Sequence, residues 1–67
     1  LNINNKDYQE ISESIIKELR ESDNNVYEIL KKVNNHHEEK VIHTIKWMLD
    51  SDIILQSDEG TLKLKQT

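Results

Sequence analysis

Cysteine, proline and phenylalanine are absent from this chain, and glycine and tryptophan occur once each. Without cysteine, neither a disulfide nor a thiolate zinc site can staple the fold. Such a composition suits a reducing cytosol or nucleus, so the expected location is intracellular, nuclear in a eukaryote and cytoplasmic otherwise. The longest unbroken apolar run is three residues, far short of the roughly 20 that cross a bilayer, so no membrane partner is expected. No basic start followed by an apolar stretch marks a signal peptide. The chain opens on Leu1 rather than Met, as an excised domain or processed product would. The ingredients of catalysis are missing too: no cysteine nucleophile, no glycine-rich phosphate loop, and no Ser-His-Asp set beyond chance. The expected reading is a non-enzyme with no cofactor and no small-molecule substrate.

What is present is aliphatic. Sixty-seven residues form one small domain, which buries only roughly 60% of its unfolded surface. The core must come from nine isoleucines with leucines and valines. Nine Lys and Arg against thirteen Asp and Glu leave a net charge of −4. Such a body gains little from the phosphate attraction that dominates nucleic-acid affinity, although a local basic face can still exist on it.

Residues 1–6 read as a polar lead-in, with Leu1 and Ile3 as anchors. From Asp7, a candidate cap with Glu10 three residues on, Tyr8, Ile11, Ile15 and Leu19 recur at helical spacing, predicting a helix over about 7–22. Ser22-Asp23-Asn24-Asn25 reads as a turn. Val26, Ile29, Leu30 and Val33 predict a second helix over 26–33, about two turns long and dependent on packing. Asn35 then offers a cap and Glu38 a capping-box partner for a third helix over 36–50, with Val41, Ile45 and Met48 as its stripe. Ile53 to Gln56 and Thr61 to Lys65 predict strands of a hairpin over 53–65, joined by Ser57-Asp58-Glu59-Gly60. Leu62 and Leu64 face inward, and Gly60 stands where the turn needs positive φ. The fold class is α+β: three helices and a C-terminal hairpin over 7–65.

The run Val41-x-x-Thr44-Ile45-x-x-Met48-x-x-x-Asp52-Ile53-Ile54 resembles the winged helix-turn-helix superfamily, over nearly the whole chain. In layout it is similar to the C-terminal winged helix of the middle subunit of replication protein A, a protein-binding module. It is also similar to winged helices of chromosome-associated meiotic proteins. Family members usually carry Gly where Asp52 stands, so a different turn geometry is expected at the end of the third helix. The resemblance implies a module of a larger DNA-associated protein (replication, recombination, chromatin or transcription), with the third helix and the wing as its working surface.

In DNA-binding members the third helix enters the major groove and the wing tip touches the backbone or minor groove. Here that helix should expose His36, Glu39, Lys40, His43, Lys46 and Asp50, a mixed face. The tip carries Asp58 and Glu59, and no arginine follows Arg20 to read guanine. Lys31, Lys32, Lys40, Lys46, Lys63 and Lys65 could contact phosphate, though ordinary solvated lysines are the simpler account. Trp47 falls at the edge of the core stripe. Packing flat on the second helix or the hairpin is the bland role for it, and an aromatic anchor for a partner is the functional one.

His36, Glu39 and His43 share one helix side, but the two imidazoles stand about 10 Å apart along the axis, too far for one ion, so no metal is expected. The histidine pair at 36–37 is more simply a pH-sensitive polar surface. The leading expectation is therefore a protein partner, a helix or peptide, docked on His36, Lys40, His43 and Trp47. The alternative is direct duplex DNA binding through Lys40, Lys46, Lys63 and Lys65. A homodimer through the first helix or the termini is a weaker third.

Overall fold

A computed structural model describes residues 5–65 as three helices and a three-stranded antiparallel sheet, an α+β domain. The elements run α1 (Asn5–Glu21), β1 (Asn24–Asn25), α2 (Val26–Lys32), α3 (Glu38–Asp50), β2 (Ile54–Gln56) and β3 (Thr61–Leu64). Leu1 and Ile3 lie outside the described residues. The core is entirely aliphatic apart from the Met48 thioether: Ile11, Ile15 and Leu19 of α1, Ile29 and Val33, Val41, Ile45 and Met48 of α3, Ile54 and Leu62. Thr44 is buried on the same α3 stripe, and its hydroxyl donates to the Lys40 carbonyl at 2.8 Å, so its burial leaves no unpaired polar atom.

Three boundaries differ from the sequence reading. Helix α1 begins at Asn5, so Lys6 is helical and Asp7 sits inside the first turn instead of capping it. Helix α3 begins at Glu38, and its N-cap is His37, with no side-chain cap bond. Asn35 is therefore not its cap, and His36 belongs to the connection before the helix. The third difference is the segment read as a turn. Asn24 and Asn25 form a short strand paired with Leu62 and Thr61, making β3 the central strand in the order β1-β3-β2.

Asn25 serves two elements at once. Its backbone is extended, with φ −85° and ψ 172°, and its side chain accepts from the Glu28 amide at 2.9 Å. Extended dihedrals are what an N-cap requires, so finishing a strand and starting a helix need the same conformation. Asn24 beside it is buried. Its amide donates to the Ser22 carbonyl at 2.9 Å and its oxygen accepts from Lys32 Nζ at 3.3 Å. Helix α2 is seven residues long with Ile29 as its one fully buried side chain. It depends on that anchor and on the cap, because a helix this short does not stand alone.

The exit from α3 also departs from expectation. Asp52 adopts φ 59°, the left-handed conformation a glycine would supply. Its amide donates to the Leu49 carbonyl at 3.1 Å, and the Ile53 amide reaches back to Met48 at 2.9 Å. This pair of bonds is the Schellman ending, built here on an aspartate. The chain then runs through β2 into a turn closed by the Gly60 amide on the Ser57 carbonyl at 2.9 Å, with Gly60 at φ 89° as its position predicts. Ile54 pairs with Leu64, Leu55 with Lys63 and Gln56 with Leu62. Leu62 is buried and Leu64 packs partly against the core, as the alternation predicts.

Asp52→Gly should therefore raise stability by about 1 kcal/mol, a thermal midpoint shift of roughly 4–8 °C. A lower midpoint would mean the aspartate side chain holds the turn. Asn25→Ala should cost about 1 kcal/mol by leaving the Glu28 amide uncapped, whereas Asn25→Asp should keep most of the stability. Thermal melts followed by circular dichroism read both.

Candidate functional site

Helix α3 presents two different surfaces outside the core. Its open face carries Glu39, His43, Lys46 and Asp50, all exposed. Its other flank turns toward α1, and there the structure places Lys40 and Trp47. Lys40 Nζ lies 2.7 Å from Asp7 Oδ2, with the two side chains 25% and 18% exposed. This ion pair joins residues 33 positions apart and fastens the first turn of α1 to α3. The hydrogen bond from Lys40 holds the Asp7 carboxyl below its ordinary value. Partial burial opposes that shift, and the charges of Lys40, His36 and Lys6 reinforce it.

Trp47 is 48% exposed, and its ring meets Tyr8 edge-to-face at 4.5 Å and 73°. The expected resting place on α2 or the hairpin is thus corrected: its ring partner is on α1. Burial pushes the Tyr8 phenol above its ordinary value. Edge-to-face pairs of this kind add about 0.5–1.5 kcal/mol beyond area burial, so Trp47 is a structural residue with an open side.

His36 does not lie on the α3 helix, which removes the helical spacing to Glu39 and His43. Its side chain is mostly covered, with Nε2 3.9 Å from Glu10 Oε1. Asp7, Glu10 and His36 bring one ligand atom each within 4.8 Å of one another, the one such group among the described residues. Lys40 already supplies a cation at hydrogen-bond distance from Asp7. A metal ion there would have to share the Asp7 carboxylate with the Lys40 ammonium.

Of the four residues expected to bind a partner, His43 and Trp47 are exposed, while His36 and Lys40 are committed to α1. The six candidate phosphate-binding lysines also divide. Lys31 lies 3.9 Å from Glu28, and Lys32 lies 3.8 Å from Glu18 while bonding Asn24. Lys40 belongs to Asp7. Lys46, Lys63 and Lys65 have no carboxylate within 4.0 Å among the described residues. They do not form one patch: Lys46 stands between Glu39 and Asp50 on α3, and Lys63 and Lys65 border a groove against the end of α1. Sequence reasoning missed Tyr8 as the partner of Trp47 and Asp7 as the partner of Lys40. Helical spacing marks Tyr8 and the cap pattern marks Asp7 at the start of α1, but nothing local tells which element they face.

No family model, curated protein or solved structure matches the chain. Function must be argued from these side chains.

The Asp7–Lys40 pair gives a pH prediction. A carboxyl whose folded pKa is depressed adds stability that is fully present above its unfolded value of about 3.9 and is lost as pH falls through the folded value. Asp7→Asn should therefore be less stable than the parent at neutral pH, and the gap should close below about pH 4. Thermal melts from neutral to acid pH measure it. A gap independent of pH would show that the pair contributes through shape and not through ionisation.

Proposed function

We propose that this chain is a winged-helix interaction module of a larger DNA-associated protein, and that α3 and the hairpin wing bind a protein partner instead of base pairs. The order of three helices and a hairpin supports the fold assignment, and β1 supplies the third strand of the small sheet. The observation that carries the functional reading is the acidity of the open face of α3 and of the wing tip, the two places that would meet DNA. Glu39 and Asp50 flank Lys46 and His43 on the open face of α3, and Asp58 and Glu59 stand exposed at the wing tip. Each would face phosphate with the wrong sign, and a duplex interface gains most of its affinity from the right one.

Trp47 is the docking residue in this reading. Its ring already meets Tyr8 edge-to-face, and the residue remains about half exposed. A partner covering the remainder would desolvate an aromatic side chain that is held in place beforehand, the usual make-up of an interface hot spot. His43, one helical turn before Trp47, borders the same strip.

A fluorescein-labelled random-sequence duplex titrated with the chain at about 50 mM salt should give no saturable anisotropy change. Salt-dependent binding that Lys46→Glu abolishes would replace this reading with DNA recognition. Trp47→Ala should remain folded and lose affinity for a protein partner by about 2 kcal/mol, near 30-fold. Full affinity in the folded variant would remove Trp47 from the interface.

A further inference from the structure

The charge on this molecule is not evenly spread. Beside the C-terminal end of α1 an open groove of about 990 Å³ runs along the hairpin, and no residue of α3 lines it. Its apolar lining is Leu19, Leu55 and Leu64, of which Leu55 is 36% exposed and Leu64 partly so. Arg20, Lys63 and Lys65 stand around these leucines, and Asp23 is the single acidic residue in the lining. Three of the nine Lys and Arg thus converge on one groove of a chain whose net charge is −4.

The local structure explains how they meet. Leu55 and Lys63 are cross-strand partners, so a leucine and an ammonium sit side by side on the outer face of the hairpin. Lys65 extends the same ladder, its amide donating to the Ile53 carbonyl at 3.2 Å. Arg20 occupies the last turn of α1, where a cation also complements the helix dipole. A dipole partner or a solvated strand lysine alone would be unremarkable. An exposed leucine, Leu55, with the partly exposed Leu64 beside it, is what a solvated face lacks.

We propose that this groove binds an acidic segment of another protein, one that places leucine-type side chains between its carboxylates. The cations match the carboxylates and the apolar lining matches the leucines, so charge and hydrophobic surface select the same ligand. A nucleic-acid backbone satisfies the cations but offers nothing to cover Leu55 and Leu64. The groove is too open to enclose a small molecule and wide enough for several side chains. The surface is separate from the one argued for α3, and it adds an acidic ligand to a molecule whose α3 face and wing tip are themselves acidic.

The test uses the intact chain and a fluorescein-labelled synthetic peptide of Glu and Asp with Leu at alternating three- and four-residue spacing. A second peptide has every Leu replaced by Ser at the same charge. Anisotropy should show saturable binding of the first peptide, weakened at least about tenfold by Lys63→Glu with Lys65→Glu and several-fold by Leu55→Ser. All three positions are partly or fully solvent-facing, and circular dichroism confirms that the variants fold. Trp47→Ala should leave this binding unchanged. Absence of binding overturns the proposal, as does equal binding of the serine peptide, which would reduce it to charge attraction. Tighter binding of duplex DNA with the same dependence on Lys63 and Lys65 assigns the groove to nucleic acid instead. Loss on Trp47→Ala with none on the lysine variants places the peptide on α3 and leaves the groove without a ligand.

Discussion

One residue conformation governs how this chain closes. Helix α3 must stop and reverse so that Ile54, only four residues after Asp50, returns to the core. Asp52 accomplishes this at φ 59°, a conformation that the Cβ of an L-residue makes unfavourable and that aspartate tolerates better than most. The bond from the Ile53 amide to the Met48 carbonyl then fixes the exit direction. With β2 placed, the pairing of Ile54 with Leu64 sets the register of β3 and brings Leu62 under the helices. Strand β3 in turn offers its second edge to Asn24 and Asn25, and Asn25 caps α2. A turn near the end of the chain thus positions a helix in its middle. Small size makes this dependence sharp, because no large core exists to hold any element on its own.

The elements that were legible in the sequence are those with a period. The stripe of α1 repeats over about three turns and that of α3 over about two, and the strand at Thr61–Leu64 alternates, so burial follows spacing. Gly60 was legible for a different reason: a lone glycine between two strand patterns marks the left-handed position. What the sequence hid was everything too short to repeat or too distant to be local. Two asparagines between helices read as a turn because Asn favours turns, yet a neighbouring strand edge recruits them as β1. Asn35 was a reasonable cap for α3, but the connection continues through His36 to His37 before the helix forms. Asp52 stands where the resemblance leads one to expect glycine, yet it takes glycine's left-handed conformation instead of a different turn.

The candidate site was less legible than the fold. Exposure of Trp47 followed from its angle relative to the α3 stripe, but its contact with Tyr8 depends on how α1 lies across α3. The same holds for Lys40, which looks like an ordinary surface lysine until Asp7 is found 2.7 Å away. Counting charges along a helix cannot reveal which of them are committed to a partner from another element. Once Lys40 is committed, the open face of α3 keeps Lys46 as its only lysine beside Glu39 and Asp50. The acidity read from composition is therefore stronger on the open face of α3 than a count of its lysines suggests.

That commitment also decides how the remaining cations act. Lys31, Lys32 and Lys40 each have a carboxylate of the same chain within 4.0 Å. Exposed pairs of this kind contribute little to folding, but they withdraw cations from any anionic ligand. Lys63, beside Leu55 on the hairpin, and Lys65, just after β3, instead border the groove next to the last turn of α1. The alternation that buries Leu62 is therefore the same feature that exposes Lys63 beside Leu55. The same strand pattern sets an exposed leucine beside cations that, among the described residues, have no carboxylate within 4.0 Å. The two proposed surfaces then divide by chemistry, an aromatic residue among acids on α3 and leucines among cations where the hairpin meets the end of α1.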